Sequence, residues 1–85
     1  MDINELFELA VVDSKKISEK PSNEILLQLY AYFKQATEGD ITIEAPSNPF
    51  DFVAKAKYTA WEELKGKSSL DAKQAYIDLV KSLQS

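Results

Sequence analysis

The sequence predicts an all-α protein, a bundle of four helices. Three observations carry that reading. Four stretches repeat apolar residues at helical spacing of three and four. Proline, glycine or a capping residue punctuates the ends of these stretches. The one alternating segment, Ile41-Thr42-Ile43-Glu44, has no second strand to pair with. A chain of 85 residues makes one domain, residues 1–85.

The first helix is expected from about Asp2 to Ile17. Ile3, Leu6, Phe7, Ala10, Val11, Ser14 and Ile17 fall on one stripe there, and Lys20-Pro21 breaks the pattern. The second starts at Ser22 or Asn23, both good N-caps, and runs to about Glu38. Gly39 suits a left-handed residue just past its end. Residues 40–49 hold two prolines and read as an extended loop, long for so small a domain. The third helix is expected from Pro49 or Phe50 to Lys65, ended by Gly66. The fourth begins at Ser68, where Ser68-x-x-Asp71 forms a capping box with aspartate in place of glutamate, and continues to about Leu83. With one long connection between two short ones, the second and third helices are free to run parallel.

Composition removes several function classes. Cysteine and histidine are both absent, which excludes disulfides, a thiol nucleophile, a histidine base and a Cys/His zinc site. Neither a glycine-rich phosphate loop nor a nucleophile elbow occurs, and Glu62-Glu63 point to different sides of one helix. Enzymatic activity, a metal and a catalytic residue are therefore not expected. A net charge of −4 argues against nucleic acid as partner. All ten basic residues are lysines, so phosphate can be met only by point charges. The N-terminus lacks a secretory h-region, and the longest apolar run, Leu29 to Phe33, is too short for stable membrane insertion. The expectation is a soluble, monomeric, cytoplasmic protein.

The faces of the helices do not add up as bundle contacts alone. On the second helix, Ile25, Leu26, Leu29, Tyr32, Phe33 and Ala36 form a broad core arc. Leu27, Tyr30 and Lys34 widen it on one side, while Gln28, Gln35 and Glu38 hold the polar sector. Tyr30, Phe33 and Lys34 are neighbours at i, i+3 and i+4. On the third helix Val53, Ala56, Ala60, Trp61 and Leu64 form an apolar face with Lys57 inside it. A lysine so placed either snorkels to water or meets an anion. Tyr76 lies in the apolar arc of the fourth helix, either as a core ring or with its hydroxyl turned to a ligand. Lys15 stands one turn beyond Val11 at the edge of the first stripe. Core packing with solvated lysines and an aromatic, lysine-flanked anion site both remain open at this point.

The run Tyr30-Ala31-Tyr32-Phe33-Lys34-Gln35-Ala36-Thr37-Glu38-Gly39-Asp40 is similar to the pattern Tyr-x-x-Tyr-Lys-Gln-Ala-Thr-x-Gly-Asp of the acyl-coenzyme A binding protein family. Asp51 to Trp61 resembles the same family's Lys-x-Lys and Ala-Trp pattern. Lys20-Pro21, Leu64-Lys65-Gly66, Ser68 and Ala75-Tyr76-Ile77 continue the resemblance over nearly the whole chain. It implies an up-down-down-up bundle that carries long-chain acyl-CoA without catalysis and needs no cofactor beyond that ligand. The alternative is a helical interaction scaffold that has lost the ligand. By the same resemblance Lys34 and Lys57 meet the ribose 3′-phosphate, and Tyr30 and Tyr76 line the adenine and phosphate region. Lys15 and the backbone around Val11 approach the nucleotide, and Leu26, Leu27, Val53 and Ala56 hold the acyl chain. Three departures stand out. Phe33 replaces a tyrosine and Tyr58 a tryptophan, and the loop Ala45 to Phe50 is one residue longer.

Overall fold

A computed structural model describes residues 2–17 and 19–84. It contains four helices, α1 (Ile3–Ser14), α2 (Asn23–Glu38), α3 (Phe52–Glu62) and α4 (Ser69–Gln84), with no strand among the described residues. Side chains set most of the starts. Asp2 Oδ1 accepts from the Glu5 amide, Ser22 Oγ from Ile25, Asp51 Oδ1 from Ala54 and Ser68 Oγ from Asp71.

Three boundaries differ from expectation. α1 stops at Ser14 rather than Ile17. Ser14 Oγ donates to the Val11 carbonyl at 2.7 Å, and the amides of Lys15 and Lys16 bond three residues back, which tightens the last turn. α3 starts at Phe52, not at Pro49 or Phe50, and ends at Glu62 instead of Lys65. Asn48 Oδ1 takes the Phe50 amide at 2.9 Å and the Asn48 carbonyl takes that of Asp51, so a turn precedes the cap.

Helix directions follow from which ends touch. Lys73 Nζ donates to Asn4 Oδ1 at 2.6 Å, and Tyr76 Oη donates to Ser14 Oγ at 3.1 Å, so α1 and α4 run parallel. Ser69 Oγ donates to the Ala36 carbonyl at 2.7 Å while Phe33 sits 6.4 Å from the Tyr76 ring, so α2 opposes α4. Asn23 and Leu26 face Phe52 and Val53, and Trp61 bonds Gln35 and Gly39, so α2 and α3 are parallel. The result is an up-down-down-up bundle in which residues 39–51 carry the chain back along the length of α2.

The core gathers Phe7, Ala10, Ala36, Ala72, Tyr76, Ile77 and Val80, with the Phe7 and Tyr76 rings edge to face at 5.2 Å. Alanines from α1, α2 and α4 let these helices approach closely. Leu26 and Phe33, assigned above to the core arc, are exposed instead and line a surface hollow.

A polar clasp closes the C-terminal end of the α2–α3 pair. Gln35 is 1% exposed and does not belong to the polar face of α2. Its Nε2 donates to Asp40 Oδ1 and to the Lys67 carbonyl, both at 2.8 Å. Its Oε1 accepts from Trp61 Nε1 at 3.2 Å, and the same indole N–H donates to the Gly39 carbonyl at 3.0 Å. Asp40 Oδ1 also accepts the Gly66 amide at 2.9 Å. That amide, and then the Gln35 side chain, hold the Asp40 carboxyl below its ordinary pKa. Gly39 adopts φ 80° and ψ −152°, not the left-handed helical values expected of it. That region is almost exclusive to glycine, so the position demands glycine more strictly than an ordinary helix end.

Candidate ligand-binding site

Two hollows flank a ridge made by Leu26 and Tyr30 on α2. The first, between α1, α2 and α4, is lined by Val11, Ser14, Lys15, Pro21, Leu26, Leu29, Tyr30, Phe33 and Tyr76 and encloses about 360 Å³. The second is a groove of similar volume between the N-terminal halves of α2 and α3. Asn23, Leu26, Leu27 and Tyr30 form one wall, and Phe52, Val53, Ala56 and Lys57 form the other. The residues come together because 3.6-residue periodicity puts 23, 26, 27 and 30 on one face of α2. On α3 the same spacing aligns 52, 53, 56 and 57.

Ten of the eleven residues singled out from the sequence line these two hollows. Val11, Lys15, Phe33 and Tyr76 belong to the first, Leu27, Val53, Ala56 and Lys57 to the second, and Leu26 and Tyr30 to both. Lys34 lines neither. Its ammonium lies 5.9 Å from the Tyr30 ring centroid and 5.6 Å from that of Trp61. Lys57 reaches the Tyr30 ring at 5.3 Å. It is exposed rather than buried in the apolar face of α3. It snorkels, and its destination is the same ring that Lys34 approaches.

The two lysines differ electrostatically. Lys34 Nζ donates to Glu38 Oε2 at 2.6 Å, the one ion pair among the described residues. That hydrogen bond raises the Lys34 pKa, outweighing a small opposing effect of burial. Lys57 and Lys15 have no carboxylate partner among the described residues. An anion over Tyr30 would therefore meet an unshared charge at Lys57 and, at Lys34, a charge already paired with Glu38. Phe33 stacks on Phe7 at 6.0 Å and 25°, and Tyr76 spends its hydroxyl on Ser14. The first hollow thus has an aromatic floor with Lys15 at its edge. The groove wall is mainly apolar, ending in Asn23 at one extreme and in Tyr30 and Lys57 at the other. Among the described residues no three His, Cys, Asp or Glu side chains converge on a metal site. None of the helices is long and apolar enough to cross a membrane.

Sequence reasoning missed Phe52 and Asn23 as groove residues. Phe52 stands four before Ala56, and Asn23 stands three before Leu26, so the periodicity held the signal. Ser14 and Leu29 of the first hollow lie on the apolar stripes that predict core, and Pro21 reads in the sequence as punctuation.

A family model described as Acyl CoA binding protein matches residues 4–80. The chain belongs to the acyl-CoA-binding protein family. It is similar to acyl-CoA-binding protein homolog 1 of Caenorhabditis elegans, with 47% identity over 77 residues, 91% of this chain and 88% of that one. Enoyl-CoA delta isomerase 2 of Rattus norvegicus is 48% identical over 79 residues, which are 93% of this chain and 20% of that protein. The family fold extends to the crystal structure of Oryza sativa acyl-CoA-binding protein 2. That structure superposes with a TM-score of 0.91 at 36% identity, over 98% of this chain and 91% of the other.

Proposed function

We propose that the chain binds long-chain acyl-CoA thioesters and carries them in the cytoplasm as a monomer, without transforming them. The observation that carries this reading is the meeting of two chemically different hollows at Tyr30. One is an aromatic-floored hollow edged by Lys15, the other an apolar groove, and Lys34 and Lys57 stand over the shared ring. A thioester that joins a phosphorylated nucleotide to a hydrocarbon chain has the same two-part chemistry.

In this reading Lys34 and Lys57 hold the ribose 3′-phosphate. Tyr30 and Phe33 supply ring surface to the adenine, Tyr76 lines the same region from the core, and Lys15 with the Val11 backbone borders the nucleotide. The acyl chain lies along Leu26, Leu27, Val53 and Ala56, and each methylene it buries contributes about 0.8 kcal/mol. The head selects the ligand class and the groove adds affinity. No proton has to move, so a carrier needs no general base.

Titration calorimetry with hexadecanoyl-CoA, free CoA and hexadecanoate tests the proposal. The ester is expected to bind one to one and far more tightly than either part. In a Lys34→Ala, Lys57→Ala double variant the affinity falls at least tenfold and loses most of its salt dependence, while the fold persists. Equal affinity for the ester and the free acid would overturn the reading.

A further inference from the structure

At the start of α3 three large apolar side chains stand in the open: Phe52 at 72% exposure and Val53 at 64%, both lining the groove, and Phe50 at 80%, two residues ahead of Phe52. Scattered exposed apolar residues need no explanation, but three within four positions, beside an apolar groove, do. The Phe50 ring is not out because its backbone is loose. Its amide is held by Asn48 Oδ1, the next amide by the Asn48 carbonyl, and Asp51 then caps α3 through Ala54. The turn fixes the Phe50 backbone two residues ahead of Phe52, which lines the groove together with Asn23.

Groove length says what the ring is for, and this step rests on the proposed acyl-CoA reading. From Tyr30 to Asn23 the α2 wall spans seven residues, about 10 Å at 1.5 Å per residue. Carbon–carbon bonds of about 1.5 Å at tetrahedral angles advance roughly 1.25 Å per carbon, so the wall accommodates about eight carbons. A sixteen-carbon chain therefore runs on past Asn23. There the α2 wall turns polar at Asn23, and the exposed apolar side chains nearest in the chain on the other side are Phe52 and, two residues before it, Phe50.

We infer that Phe50 is a specificity-determining residue, a cover for the distal half of acyl chains too long for the α2–α3 groove. It favours long chains over short ones without touching the nucleotide or the first eight carbons.

Calorimetric titration with octanoyl-, dodecanoyl- and hexadecanoyl-CoA separates this from other roles. Phe50→Ser is expected to leave octanoyl-CoA affinity unchanged and to weaken hexadecanoyl-CoA roughly tenfold, the equivalent of about two methylenes uncovered. Phe50→Leu should restore most of the long-chain affinity, since the contact needs apolar area and not a ring. An unchanged hexadecanoyl-CoA affinity in Phe50→Ser overturns the inference, and so does an equal loss at all three lengths. Failure of the unaltered protein to bind any of the three esters would instead overturn the acyl-CoA reading on which it rests.

Discussion

The two ends of the α2–α3 pair are built on opposite terms. At the C-terminal end Gln35, Asp40 and Trp61 bind the helices and the α3–α4 turn together, and no buried side-chain polar atom among the described residues lacks a partner. At the N-terminal end the same two helices leave Leu26, Val53 and Phe52 facing water across a gap. Closing both ends would bury more apolar surface and stabilise the fold. The open end therefore reads as a surface held apart by the clasp at the other end. Stability and binding are separated along one helix pair, and substitutions at each end should separate them too.

The largest effect is expected at the clasp. Trp61 is 1% exposed and joins α3 to α2 through both packing and its N–H. Trp61→Ala should destabilise the fold by about 3–5 kcal/mol, read from denaturant midpoints by circular dichroism. A loss near zero would mean that α3 is held by other contacts. A smaller effect is expected from acid. Folded Asp40 titrates below its ordinary range, because the Gly66 amide and then the Gln35 side chain favour its charged form. Its contribution is full above the ordinary carboxylate pKa and disappears as the pH falls through the lower folded value. Trp61 emission should report the clasp loosening as the carboxyl is protonated in acid, and Asp40→Ala should abolish that dependence. The smallest effect on stability belongs to the open end. Val53→Ser should change unfolding free energy by less than about 0.5 kcal/mol, because the side chain is already in water. The same change should weaken hexadecanoyl-CoA several-fold by calorimetry. Marked destabilisation would show that the open end is structural after all.

Much of this comparison is legible in the sequence, though unevenly. Capping residues and periodicity give all four helices, and Ser22 and Ser68 take the expected capping roles. The surplus apolar arc on α2 leads to Tyr30 and Leu27, and the misplaced lysine on α3 leads to the same ring from the other side. Gln35 escapes that logic. Its neighbours on α2 mark it as polar-face, and its partners lie 26 and 32 residues away in Trp61 and Lys67. A period of 3.6 carries no information about such long-range bonds. The start of α3 is obscured for a local reason, since the Asn48 side chain claims the Phe50 amide before a helix can. Phe50 itself looks like the first residue of a helix, and its bond to Asn48 and its exposure show that it is something else.

The return passage of the chain, residues 39–51, has a further consequence. Parallel helices cannot be joined by a tight turn, so this strap must cover roughly 24 Å, the length of the 16-residue α2. Slack in such a strap is cheap, because doubling the length of a flexible loop costs only about 0.6 kcal/mol in closure entropy. Its final residues include Phe50, two positions before the groove residue Phe52. Insertions or exchanges there can alter how much hydrocarbon is covered while Gly39 and the clasp behind it stay fixed. The architecture places its adjustable part on the strap and not in the core, and chain-length preference becomes a property that can drift without endangering the bundle.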